Sequence, residues 1–256
     1  MPFTLSHAAA ALPFRRTRLI MSALVVGCFA PDFEYFLGIH GGFGHTLRGI
    51  FVFDLPVALA VLWLFHRYAK ETLAACLPEG TRKRLHPRPL PIDSVSRFAM
   101  VIVSILVGIA THMLWDSFTH PRYWLYAHWR FLSETVRIPL FGDRPWFAVF
   151  QYISSVLGLL VILLWWVQWQ RNTPPQRSRP EEQELLTHDR LAVACALAIA
   201  LLAAVVHAVV SGIPHGVTGS QKFMTIAVVT GLTVFWGEVI LYGLVRNRNR
   251  SAVKAT

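Results

Sequence analysis

Apolar residues fall in long uninterrupted runs along this chain. A helix needs roughly 20 of them to cross a hydrocarbon core, where its backbone groups must be satisfied within the segment. Five runs meet that length, Leu47–Phe65, Phe98–Phe118, Phe147–Trp169, Leu191–Val210 and Phe223–Val245, and several end in the Trp and Tyr residues that favour the membrane interface. A sixth run, Leu19–Ala30, is cut short by Pro31 and Asp32, so it is either a re-entrant arm or a span completed by Phe33–Ile39. Leu5–Phe14 and Leu19–Ala30 can also pair as a short helical hairpin turned at Arg15–Arg18. The pattern predicts an all-α, polytopic transmembrane helix bundle: five spans plus an N-terminal hairpin or sixth span. Residues 1–246 read as a single transmembrane domain and residues 247–256 as a basic tail.

Polar residues sharpen this picture. Arg67, Lys70, Arg82, Lys83, Arg84, Arg88 and Arg97 crowd the linker at about 67–97, and the linker 171–190 and the tail are basic too. By the positive-inside rule these segments face the cytoplasm, which puts Arg48, Pro121–Trp146 and Ser211–Lys222 on the other side. Arg122, Arg130, Arg137 and Arg144 run against that asymmetry. Asn172–Glu184 reads as a solvated linker. The composition, 54% hydrophobic and 15% charged, excludes an ordinary soluble domain. A net charge of +10 would suggest nucleic acid in a soluble protein; here it is assigned to cytoplasmic loops, the partner is the lipid bilayer, and no nucleic acid is expected. Cys28, Cys76 and Cys195 lack metal-type spacing and read as small hydrophobes, although Leu24-Val25-Val26-Gly27-Cys28 also has the form of a lipoprotein processing signal.

The densest chemistry lies at the end of the second span, in Thr111-His112-Met113-Leu114-Trp115-Asp116-Ser117-Phe118-Thr119-His120-Pro121. His112, Asp116 and His120 recur every four residues and form one stripe on a helix. Neighbours one turn apart can bite the same cation, whereas His112 and His120, roughly 12 Å apart along the axis, cannot share one. Either Asp116 bridges two metals or the helix breaks near Pro121 and turns His120 elsewhere. Asp32 and His45 fall at the same end of the bundle, and an antiparallel hairpin would bring His7 to them. A His/Asp set without thiolates suits a divalent metal, zinc foremost, with manganese or iron also compatible, and an open position on it would generate a hydroxide nucleophile for hydrolysis. Asp54, inside a span, is either an outer partner of this site or a structural acid; Glu238 reads as structural, and His40 and His128 as weaker candidates. The competing reading is a non-enzymatic transporter or assembly factor whose polar pathway runs through Asp54, His112, Asp116 and Glu238.

Met1-Pro2-Phe3-Thr4-Leu5-Ser6-His7-Ala8-Ala9, Ala30-Pro31-Asp32, His45-Thr46, Phe53-Asp54-Leu55-Pro56 and the block from Thr111-His112 to Thr119-His120 resemble the bacterial membrane proteins grouped as domain of unknown function family 4184. That resemblance covers about residues 1–245 and implies a multi-pass protein of a bacterial cytoplasmic (inner) membrane. More distantly, the chain resembles membrane-bound metal-dependent hydrolases and the helical zinc-dependent phospholipases C and single-strand nucleases. The family order of ligands corresponds here to His7, Asp32, His45, His112 and Asp116, with the last bridging two ions, and implies a phosphoester substrate, lipid-linked in this setting. The later His-x-x-x-Glu pair of the soluble enzymes has no counterpart, since Leu132 stands four positions after His128.

Overall fold

In the computed structural model, residues 4–39, 41–85, 89–121, 123–139, 142–176, 182–212 and 216–255 are described. His40, His86 and His215 lie outside them. The chain opens with a 3-10 helix, Thr4–Arg16, followed by α1 (Met21–Gly27), a 3-10 turn at Ala30–Asp32 and α2 (Phe33–Phe36). Then come α3 (Leu47–Ala75), α4 (Glu79–Arg82), α5 (Val95–Thr119), α6 (Trp124–His128), a hairpin of β1 (Thr135–Ile138) and β2 (Gly142–Pro145), α7 (Trp146–Asn172), α8 (Glu182–Val210) and α9 (Gly216–Ala255). Helices α3, α5, α7, α8 and α9 are long and apolar enough to cross a membrane, so the fold is an all-α, multi-pass membrane protein.

Each long helix outruns its apolar core. The first span continues to Ala75 rather than Phe65, because Arg67, Lys70 and Glu71 lower the hydropathy without interrupting the helical backbone. Pro56 cannot donate to the ladder, and the turn before it, Ile50–Asp54, widens to π geometry with Asp54 buried inside. The segment between the second and third spans, read from the sequence as a loop, folds into α6 and the hairpin. Thr135 pairs with Pro145 and Ile138 with Gly142, whose φ of 73° suits glycine.

The residues cluster into two compact units. One comprises Met1–Glu34, His40–Leu62 and Pro91–Asn172; the other comprises Tyr35–Ile39, Trp63–Leu90 and Thr173–Thr256. In the second unit Ala69, Ala196 and Val239 form a core with Phe65, Leu73, Phe235 and Trp236 around it. Arg246 there donates to buried Asp189 at 2.7 Å and to Glu71 at 3.0 Å, while the Tyr242 hydroxyl lies 3.0 Å from Asp189. Glu238 belongs to this unit, as does His207, whose Nδ1 is 2.7 Å from the Thr230 hydroxyl.

In the first unit α1 lies parallel to α5. The Ile20 N–H donates to the Ser104 hydroxyl at 2.9 Å, and one end further along the Cys28 thiol meets the Thr111 hydroxyl at 3.4 Å. Backbones touch here because Gly27 stands against the Ile105 carbonyl and Gly108 against Leu24 and Cys28. Small residues are what permits such close approach between helices in lipid, where apolar burial supplies little drive. The N-terminal 3-10 helix runs back antiparallel to α1, with Ala11 packed beside Leu24 and Cys28 and with Ser6 against Gly158 of α7.

Valine at position 108 would drive side-chain carbon into the Leu24 and Cys28 backbone. Gly108→Val is expected to cost about 1–3 kcal/mol, read as a lowered midpoint of thermal unfolding in detergent. Gly237→Ala, where a Cβ meets open space, should leave the midpoint unchanged or slightly raised.

Candidate metal centre

The site lies at the end of the first unit where α1 and α5 both terminate. Helix α5 stops at Thr119 because His120 precedes Pro121, which disfavours the helical conformation; His120 is extended, with φ −134° and ψ 141°. Its N–H still bonds the Asp116 carbonyl at 2.9 Å, which holds the His120 ring over the last turn, with Nδ1 3.5 Å from Asp116 Oδ1. Of the two sequence alternatives for His120, the helix does end there, yet the ring remains beside Asp116.

Four imidazoles surround the Asp116 carboxylate, two on each oxygen. Oδ1 faces His7 Nε2 and His120 Nδ1, both at 3.5 Å, while Oδ2 faces His112 Nε2 at 3.4 Å and His45 Nε2 at 3.6 Å. Asp32 Oδ1 approaches the second pair, 3.8 Å from His112 Nε2 and 3.9 Å from His45 Nε2. These separations are longer than hydrogen bonds, which run to about 3.2 Å. They match the edge of a tetrahedron of donors around one ion, roughly 3.4 Å when each metal–ligand bond is about 2.1 Å. His7, His112 and Asp116 form one group able to hold an ion; Asp32, His45 and His112 form another.

His112, Asp116 and His120 come from α5 and its cap, and His7, Asp32 and His45 each arrive on a different element. In the 3-10 helix, with three residues per turn, Thr4 and His7 lie in line. His7 stacks on His112 with ring centroids 4.2 Å apart, and the Thr4 hydroxyl donates to Asp32 Oδ2 at 2.7 Å. The antiparallel hairpin therefore delivers His7 to the His112–Asp116 turn. His45 ends a short 3-10 turn, Phe43–His45, just ahead of α3. His112 Nδ1 sits 2.8 Å from the Cys28 carbonyl, which can only accept, so Nδ1 carries a proton and Nε2 points at the carboxylates.

Sequence reasoning missed Glu34. It is 1% exposed, receives the Gly44 N–H at 3.3 Å on Oε2 and places Oε1 3.6 Å from His45 Nδ1. A carboxylate on the far nitrogen of a metal-binding imidazole is the usual device that fixes its tautomer and raises its basicity. Asp54, fully buried, keeps both oxygens without a hydrogen-bond partner among the described residues; its Oδ1 and the Pro31 carbonyl occupy the space where a side chain at Gly44 would go. His128, in contrast, is exposed at the end of α6.

The charge balance favours a cation. Asp32, Glu34, Asp54 and Asp116 are all nearly inaccessible, and such carboxylates are costly to bury unless matched. Burial pushes the Asp32 pKa up, a sign that the carboxylate alone is uncomfortable here. Burial, followed by the charge of His112, pushes the His7 imidazole down to about 3, so at neutral pH the ring is uncharged and one of its nitrogens has a lone pair to offer. Among the described residues, His112 Nε2, His7 Nε2 and Asp116 Oδ1 are buried without hydrogen-bond partners, the condition expected of donor atoms arranged for an ion.

A family model described as a domain of unknown function (DUF4184) matches residues 1–246, and the chain belongs to that family. Neither the curated proteins nor the solved structures hold a match.

The Thr4 hydroxyl is the donor that ties the start of the 3-10 helix to Asp32. Thr4→Val keeps the shape and removes the donor, and should cost about 1–3 kcal/mol of stability in a thermal melt. Thr4→Ser should recover most of that loss; equal destabilisation by both variants would mean that the methyl group, not the hydrogen bond, matters.

Proposed function

We propose that this DUF4184 protein is a metal-dependent hydrolase of phosphoesters with a lipid-linked substrate, its ligands being His7, Asp32, His45, His112, Asp116 and His120 and zinc its preferred metal. The observation that carries the reading is the Asp116 carboxylate with a pair of imidazoles on each oxygen, the arrangement of a group bridging two neighbouring cations. Two divalent ions would also offset the charges of the four buried carboxylates. The chain order of these residues, which resembles that of the helical zinc-dependent phospholipases C, supports the same chemistry.

Cations held by these residues would supply Lewis acidity toward a phosphoryl oxygen and would lower the pKa of water at the site toward neutrality. The protein's own groups do the rest. Asp116 and His112, one helical turn apart, fix the spacing of the two positions. His7, packed against His112 and Trp115, closes the inner side, while His120, 21% exposed, stands toward the opening beside Tyr123. Glu34 holds the His45 ring with Nε2 inward.

The arginines that weaken the positive-inside asymmetry support an anionic substrate. Arg48 opens α3 next to His45, and Arg130, Arg137 and Arg144 are exposed on the segment joining α5 to α7, at the site's end of the unit. Such charges raise the local concentration of a phosphorylated ligand. The opposite end carries Arg15, Arg16 and Arg18, Arg97 at the start of α5 and Arg171 at the end of α7, and it leads into the basic linkers at 67–97 and 171–190; the positive-inside rule therefore favours a cytoplasmic location for that end and a non-cytoplasmic one for the site. His112 lies roughly 10 Å along the helix from its end at Thr119, a depth reached from the headgroup region.

Elemental analysis of detergent-purified protein tests this first. Wild type should hold close to two transition-metal ions per chain, Asp116→Asn and His112→Ala should lose them, and His128→Ala should keep them. Glu34→Gln should retain metal with affinity lower by about 10–100-fold. Metal-loaded wild type should cleave a chromogenic phosphodiester, and Asp116→Asn should cut that rate by at least about 10³-fold. Wild type free of metal after purification and reloading would end the hydrolase reading.

A further inference from the structure

The 3-10 helix that brings His7 to the candidate metal centre has a second contact at its other end. From the contact of Ser6 with Gly158, it and α7 run side by side in the same direction, so Arg15 and Arg171 come to the same end. Between the two elements lies a groove of about 620 Å³. Its walls are apolar, with Ala9 and Leu12 on one side and Val161 and Leu164 on the other, and Arg15 and Arg171 stand in its lining with Gln168. The volume is that of a small-molecule site, roughly 300–1,000 Å³.

One ligand class fits an apolar trough ended by two guanidinium groups in a membrane-spanning unit. We propose that this groove seats a single anionic phospholipid, its acyl chain along Leu12 and Leu164 and its phosphate between Arg15 and Arg171. Guanidinium is the side chain that binds phosphate in a bidentate fashion, and basic pockets between helices on the cytoplasmic side of a bilayer recruit acidic headgroups. Trp165 lines the groove and stacks on Trp169 with centroids 6.4 Å apart, an amphipathic pair suited to headgroup depth. Arg16 at the end of the 3-10 helix and Arg18 in the turn that follows, both exposed, add to the positive field there. Lipid seated in this way would clamp the 3-10 helix to α7, and the helix carries His7 at its far end. The inference is independent of any metal.

The test is native mass spectrometry of the full chain in a neutral detergent, titrated separately with phosphatidylglycerol, phosphatidylcholine and inorganic phosphate. Wild type is expected to retain one phosphatidylglycerol with an affinity about tenfold or more above phosphatidylcholine. Arg15→Ala/Arg171→Ala, at exposed positions, should lose that preference, and Leu164→Trp, which fills the trough from an exposed site, should weaken retention of both lipids. Arg97→Ala, exposed at the start of α5 and outside the lining of the groove, is the charge control and should leave the preference intact. Because the readout is a ratio between lipids on one preparation, a variant of lowered stability still reports it. Equal retention of the two lipids by wild type, an unchanged preference in the double variant, or inorganic phosphate competing as well as phosphatidylglycerol would each overturn the proposal.

Discussion

The Asp116 carboxylate, 3% exposed and ringed by His7, His45, His112 and His120, is tolerable inside an apolar bundle only while its charge is matched. Much of the first unit can be understood from that constraint. Asp116 faces inward because α5 needs its other faces for lipid, and a carboxylate on a lipid face would be far more costly. Beyond α5 and its cap, its partners come from two other stretches of chain, the 3-10 helix carrying His7 and the turn carrying His45, which meet at the same level. Glycines at 27 and 108 let α1 approach α5 closely enough for the Cys28 carbonyl to reach His112. Pro121 ends α5 where His120 still reaches its partner.

How far the sequence disclosed this depends on the distance over which each contact acts. The five spans were legible because a bilayer imposes a length on each of them, independent of what the helices pack against. Their ends were less so: Arg67, Lys70 and Glu71 stop the hydropathic run, yet the helix continues, supported by Arg246 donating to Glu71 and Asn247 donating to the Arg67 carbonyl. The hairpin at 135–145 left only a short alternation in Thr135-Val136-Arg137-Ile138, too brief to register within a polar segment.

The His112–Asp116–His120 stripe was legible because its contacts are local, one turn apart. His7, Asp32 and His45 needed more: the antiparallel hairpin for the first, and family resemblance for the set. Glu34 gave no signal. It stands two residues after Asp32, a spacing that would send the two side chains to opposite sides of a regular helix. The change from a 3-10 turn at Ala30–Asp32 to the α-helical Phe33–Phe36 alters that phase, and the two carboxylates reach different nitrogens of His45. Tertiary contacts, the Gly44 N–H on Oε2 and His45 Nδ1 beside Oε1, are what mark it as part of the cluster.

The conformation of the N-terminal segment follows from its position between two sets of contacts. Ala8 to Ala11 would ordinarily favour an α-helix, and 3-10 runs seldom exceed a few residues because their hydrogen bonds are poorer. Thirteen residues hold the tighter form here. The reason lies in reach: at about 2.0 Å of rise per residue instead of 1.5 Å, the segment spans further, and its three-residue repeat keeps Thr4 and His7 on one line. An α-helix of the same length would fall short at one end or rotate the two side chains apart. The stabilisation must therefore come from the ends and flanks, through Asp32 and Asp116 on one side and α7 along the other. A segment so dependent on its contacts orders cooperatively with them, and the completeness of the His/Asp cluster is tied to the packing of a helix that begins only three residues before His7.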